Sequence, residues 1–190
     1  VCQTPKTFIL NPDEAAFIAE LKNPKSQQEA YGKLLRLYQK PLYYHIRSIV
    51  LNHDDADDVL QNTFIKVFRY IHDFKGDSKL FSWMYRIATN EAITFIKQKA
   101  KENGYTSEAF QEKQINNLTA DVYFDGDEIQ IKLQKAIATL PEKQQLVFKM
   151  KYFQELKYEE LSEILNTSVG ALKASYHIAT KKIEAYLNNH

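Results

Sequence analysis

The chain has one cysteine, Cys2, which excludes an internal disulfide framework and a zinc site built on several thiolates. Its five glycines are scattered, so neither a Gly-x-Gly fingerprint nor a P-loop forms, and the common nucleotide-phosphate cradles are missing. No apolar run approaches the roughly 20 residues that a membrane helix needs. The first residues also lack the apolar core of a signal peptide. The expectation is a cytoplasmic protein with no membrane insertion. A dominant charge sign is absent too: 25 basic side chains face 24 acidic ones, a formal net charge of +1. Any nucleic-acid footprint must therefore be local. There is no internal repeat and no strand-rich block.

What the sequence does hold is helical periodicity along most of its 190 residues, enough for one domain or two small ones. Pro12-Asp13-Glu14 resembles a helix start, with Asn11 as a cap and a short helix over residues 13–21. The residues before it are expected to be extended. A helix is predicted over residues 26–39, and Pro41 is expected to open the next one, with Leu42, Ile46, Ile49 and Val50 on its apolar face. Ala56, Leu60, Thr63, Phe64, Val67, Phe68 and Ile71 then recur at three and four residues. A loop follows over Phe74 to Lys79, broken at Gly76. Leu80 to Lys99 is helical again. Residues 100–127 lose the period, carry net negative charge and suggest a flexible linker with a helical turn near residues 108–115. Helices resume at Glu128. Pro141 opens one with Leu146, Val147, Met150 and Phe153 inward. Tyr158–Leu165 and Val169–Leu187, joined by Asn166-Thr167-Ser168, form a helix-turn-helix pattern. Leu161, Ile164, Leu165, Val169, Leu172 and Ile178 are expected to hold that pair together, with Lys173 and Tyr176 outward. The predicted fold is all-α: an N-terminal helical bundle over residues 1–99, a linker over 100–127, and a helix-turn-helix domain over 128–190.

The most unusual stretch is Asp54-Asp55-Ala56-Asp57-Asp58, which runs directly into an amphipathic helix. Carboxylates at that position can cap exposed N–H groups and complement the helix dipole. They can also ligate a hard cation, although four side chains spanning one turn fan outward, and the other histidines (His45, His72, His177 and His190) show no metal-ligand spacing to join His53. A third reading is a docking face, continued by Gln61, Asn62, Lys66 and Arg69. Composition leaves all three open.

Two windows resemble the sigma-70 family of bacterial transcription factors, in particular its extracytoplasmic-function (ECF) group. The first is DDADDVLQNTFIKVFRYI followed by FKGDSKLFSWMYRIATNEAITFIKQK; the second is LPEKQQLVFKMKYFQELKYEELSEILNTSVGALKASYHIATKKI. The resemblance implies a non-enzymatic protein with no cofactor. It would direct core RNA polymerase to promoter DNA and be held in check by an anti-sigma factor. It further implies that Asp54, Asp55, Asp57, Asp58 and Gln61, with Asn62 and Lys66 beside them, dock on the polymerase, steering the encounter more than adding raw affinity.

By the same resemblance the loop from Phe74 and the helix after it hold unstacked −10 bases, a task for aromatic platforms beside positive charge. Phe74, Lys75, Lys79, Phe81, Trp83, Arg86, Asn90 and Lys97 are the implied contacts. Thr94 stands where the family often carries Asp. In the second window Gly170-Ala171-Leu172-Lys173 aligns with the start of the recognition helix, which implies −35 contacts from Lys173, Ser175, Tyr176, His177, Lys181 and Lys182. Ser175, Ile178 and Thr180 occupy positions that are commonly basic, so bidentate arginine readout of guanine is largely missing. The alternatives are a stand-alone helix-turn-helix regulator, which leaves the first domain without a role, and a helical protein-interaction adaptor, which gives none to Lys173. A metal-dependent hydrolase is a more distant reading.

Overall fold

The computed structural model describes residues 12–118 and 128–189. Expectations for the first 11 residues, Asn11 included, and for linker residues 119–127 lie outside them. Helix α1 spans Pro12–Lys22, α2 Gln27–Val50, α3 His53–Tyr70 and α4 Leu80–Glu102. Helix α5 is Ser107–Asn116, α6 Glu128–Ala138, α7 Glu142–Tyr152, α8 Tyr158–Leu165 and α9 Val169–Asn189.

Pro41 does not open a new helix; it sits inside α2. Proline removes one N–H from the ladder and crowds the preceding turn. That turn is near the surface here, with Leu37 53% exposed. Its carbonyls can turn to water, while Leu34, Leu42 and Ile46, all 0% exposed, keep one apolar face on either side of the proline. The common face outweighs the local break. Helix α2 ends at Leu51, whose left-handed φ of 63° turns the chain into α3 within two residues.

Helices α2, α3 and α4 pack on one another with α1 across one end. Glu14 of α1 accepts the Leu80 N–H at 2.7 Å and so caps α4, while Lys22 donates to the Phe74 carbonyl at 2.6 Å. The short α1 therefore pins both ends of the loop between α3 and α4. In the second half of the chain α6, α7 and α9 enclose Ile137, Leu140, Phe148, Ala179 and Ile183. Asn166, at φ 49°, ends α8, and Ser168 Oγ accepts the Ala171 N–H at 3.3 Å to start α9. Both belong to the Asn166-Thr167-Ser168 stretch expected to form the turn. Phe153 and Ile178, expected inside, are 43% and 45% exposed, because α7 ends at Tyr152 and α9 buries Leu172, Ala179 and Ile183 instead.

The two halves share one core. Leu146, Val147, Met150, Leu161, Ile164 and Leu172 belong to the same apolar cluster as Ile46, Met84 and Ala88. Residues 107–116, expected to be part of a flexible tether, form helix α5 and bury Phe110 and Ile115.

Lys149 of α7 is 3% exposed, and burial pulls its ammonium down to about 8. It still carries its charge at neutral pH, where a desolvated charge opposes folding. Lys149→Met is therefore expected to stabilise the chain by about 1–3 kcal/mol, read as a higher urea midpoint at unchanged slope.

Candidate nucleic-acid and partner interfaces

The acidic turn of α3 separates into parts with different roles. Asn52, not an aspartate, caps the helix: its Oδ1 accepts the Asp55 N–H at 3.0 Å. Asp55 points inward, is 5% exposed and pairs with Lys99 of α4. It is thus a structural ion pair in this conformation and not part of the exposed face that the sequence suggested. Asp54, Asp57, Asp58, Gln61 and Asn62 are exposed. Asp57 lies 3.6 Å from His53. Lys66 is half-buried and held by Glu91 at 2.5 Å. What remains outward is a face of carboxylates and amides flanked by Ile65 and Phe68, which are 54% and 47% exposed. Among the described residues no group of three or more His, Cys, Asp or Glu side chains converges on a point where a metal could sit.

The Phe74–Lys79 loop divides similarly. Lys75 and Lys79 are exposed, whereas Phe74 is 5% exposed and lies against Trp83 with ring centroids 5.0 Å apart. Phe74 therefore acts as a buried anchor in this conformation, because α1 draws its carbonyl inward. Trp83 and Phe81 are half-buried, and Phe81 packs on Tyr85 at 4.2 Å. Arg86, Asn90 and Lys97 line the exposed side of α4 but face the second half of the chain. Arg86 donates to the Glu163 carbonyl of α8, and Lys97 meets Glu142 at 3.0 Å. Asn90 borders a groove shared with Asn166, Thr167 and Ser175.

On α9, Lys173, His177, Lys181 and Lys182 are exposed. Lys173 Nζ stands 5.6 Å from the centroid of Tyr158, whose ring also meets Lys151 at 5.0 Å. Such cation–π contacts orient a lysine without neutralising it. Tyr176 is half-buried and stacks on Phe148 at 5.8 Å, leaving only part of the ring available. Ser175 is half-buried in the groove.

Sequence reasoning missed His45. It is fully buried between α2 and α4, bonded through Nε2 to Thr89 Oγ1 at 2.8 Å and through Nδ1 to Gln154 at 3.0 Å. No local pattern marks it, since Gln154 lies 109 residues away.

The chain thus combines a helical bundle that has an exposed acidic face with a helix-turn-helix that presents lysines. Comparison with known protein families supplies the class. The model for Sigma-70 region 2 matches residues 34–102 and that for Sigma-70, region 4 matches residues 130–183. The chain belongs to the sigma-70 family of RNA polymerase sigma factors. Within it, the chain falls in the ECF group: a non-enzymatic factor that directs core RNA polymerase to promoters.

Its similar proteins include the ECF RNA polymerase sigma factor SigW of Bacillus subtilis, 28% identical over an aligned length of 173 that covers 87% of this chain and 92% of that one. The RNA polymerase sigma-H factor of Pseudomonas aeruginosa is 26% identical over 86% of this chain and 89% of its own. The ECF RNA polymerase sigma-E factor of Escherichia coli is 27% identical over 84% and 87%. Among solved structures, CnrH in complex with the cytosolic domain of CnrY has a TM-score of 0.67, covering 93% of this chain and 97% of that one at 19% identity. The sigma factor RpoE of Bartonella quintana, in complex with the anti-sigma factor NepR, has a TM-score of 0.61 at 19% identity over 83% and 96%. The region 2 match separates this chain from a stand-alone helix-turn-helix regulator, which needs no such unit. Among the described residues no helix is long and apolar enough to cross a membrane.

Proposed function

We propose that the exposed side of the α3 first turn is the docking surface for core RNA polymerase, that the α3–α4 loop and α4 capture unstacked −10 bases, and that α9 reads −35 duplex DNA. The observation that carries the reading is the division of labour at α3. Asn52 caps the helix and Asp55 holds α4, which leaves Asp54, Asp57, Asp58, Gln61 and Asn62 exposed, with Asp57 in a surface pair with His53 at 3.6 Å. On the DNA side, Lys75 and Lys79 would meet phosphates beside the Phe81 and Trp83 platforms, with Arg86, Asn90 and Lys97 joining once the halves of the chain separate. Lys173, braced by Tyr158, would lead the −35 contact, with Ser175, Tyr176, His177, Lys181 and Lys182 around it. The functional units would follow residues 1–99 and 128–190. An anti-sigma partner is part of the proposal, supported by the partner-bound state of the two similar structures.

The test uses holoenzyme reconstituted from the full chain and core polymerase, on a promoter selected by that holoenzyme from genomic fragments. Lys173→Ala is expected to weaken promoter binding about five- to ten-fold and to lower the salt slope by about one. A change in core-polymerase affinity instead would move Lys173 out of the DNA interface.

A further inference from the structure

Promoter recognition does not explain why a lysine is buried in α7. Lys149 is 3% exposed, and a lysine in an apolar core is costly unless something meets its charge. It stands on the wall of a cavity of about 160 Å³ to which α2, α4, α5, α6 and α7 all contribute. Ile93, Ile96, Phe110, Leu140 and Leu146 make much of the apolar part of that wall.

Most of the other polar groups around the cavity are already committed. Lys97 pairs with Glu142 at 3.0 Å. Gln111 Nε2 donates to Gln145 Oε1 at 2.8 Å, and Gln145 Nε2 donates to the Leu140 carbonyl at 2.9 Å. Gln114 Nε2 donates to Asp55 at 3.4 Å. Glu108 is exposed. Lys149 differs from all of these. Among the described residues no acceptor bonds its ammonium and no carboxylate pairs with it, and burial alone brings its pKa down to about 8. At neutral pH it is a protonated, buried and unpaired cation beside an apolar space.

Volume sets the size of an occupant. An apolar cavity of about 150 Å³ in another protein takes up benzene, so this one fits a body of about six carbons. Charge sets the chemistry. One ammonium balances one negative charge, and Glu108 and Glu142 on the same wall oppose a dianion. A neutral hydrocarbon leaves the ammonium without an acceptor. A carboxylate is acceptor-only and takes charge-assisted bonds from a lysine. Such a pair is also screened less when buried than on the surface.

We propose that this cavity is a binding site for a small monocarboxylate with an apolar body of about six carbons, its carboxylate on Lys149 and its body against Ile93, Ile96, Phe110 and Leu146. Neither the docking face nor the promoter contacts are needed for it. An occupant that binds only the folded chain raises its stability by mass action.

The test is calorimetric titration of the full chain at pH 7 with three ligands that share one ring: cyclohexanecarboxylate, the neutral cyclohexanemethanol and the dianion trans-1,4-cyclohexanedicarboxylate. The monocarboxylate is expected to bind with a Kd on the order of 0.1 mM. The alcohol and the dianion are each expected to bind at least about ten-fold more weakly. Lys149→Met, expected above to fold more stably than the native chain, should bind the monocarboxylate at least about ten-fold more weakly and lose the preference for acid over alcohol. Methyl resonances of Ile93, Ile96 and Leu146 should shift during the titration, while that of Ile183, in the separate cluster of α6, α7 and α9, stays in place. A folded native chain that binds no monocarboxylate overturns the proposal. So does equal binding of acid and alcohol, unchanged binding by Lys149→Met, or a set of shifts that leaves Ile93, Ile96 and Leu146 out.

Discussion

Changing Asp54, Asp57 and Asp58 together to Asn is expected to weaken binding to core RNA polymerase about ten- to hundred-fold at low salt, with helicity unchanged. Exposed ion pairs contribute up to about 1 kcal/mol each, so three of them reach that range. All three are exposed: the cap belongs to Asn52, and Asp57 makes a surface pair with His53 at 3.6 Å. Charges on a rim act chiefly on encounter. Most of the loss should therefore appear in the association rate, and the difference should shrink as salt rises towards 0.5 M. Asp55→Asn makes the contrast. Asp55 is 5% exposed and bonded to Lys99, so its loss is expected to cost about 1–3 kcal/mol of stability. Equal binding by the triple variant and the native chain at every salt concentration would remove the acidic turn from the interface.

Acid is expected to destabilise the chain through His45. Its ring is fully buried, stacked near Tyr85 at 4.8 Å, and desolvation brings its pKa down to about 3, with the charge of Lys149 acting in the same direction. The bonding pattern fits the neutral ring. Gln154 donates to Nδ1, Nε2–H donates to Thr89 Oγ1, and Thr89 donates in turn to the Tyr85 carbonyl. Above the unfolded value near 6.5 both states are neutral and His45 adds no pH dependence. As pH falls below that value the unfolded chain takes up a proton that the folded chain refuses until about 3. Stability is therefore lost at about 1.4 kcal/mol per pH unit, or about 2 kcal/mol between pH 6.5 and 5. Urea midpoints at the two pH values should show this slope in the native chain and a shallower one in His45→Gln. Identical slopes would mean that His45 is protonated in the fold. Gln154 comes from the helix-turn-helix half, so the same acid step should also weaken the contact between the halves.

The helix-turn-helix was legible in the sequence because its signals are local. Asn166-Thr167-Ser168 interrupts two apolar-periodic runs, and those three residues supply the left-handed turn and the cap in the fold. The α3 and α4 stripes were legible for the same reason, since periodicity at three and four residues depends only on which side is buried. Pro41 misled because its local preference was outvoted by Leu34, Leu42 and Ile46, whose common partner lies in other helices. Phe110 and Ile115 gave no stripe, since α5 presents only isolated anchors whose seat comes from α4, α6 and the end of α2.

Function followed the same line. The order of an acidic turn, an aromatic and basic loop and a lysine-bearing helix is written in the chain, because each is a run of chemistry within one element. Which carboxylate faces out, which aromatic is a platform and which an anchor, and which cations already have partners depend on neighbours tens of residues away. Asp55 and Lys99, Arg86 and Glu163, and His45 and Gln154 meet only when the helices pack. The sequence by itself determined the elements and their chemistry. The tertiary structure alone decided which of those groups is free to act, because burial and pairing belong to contacts that no local stretch encodes.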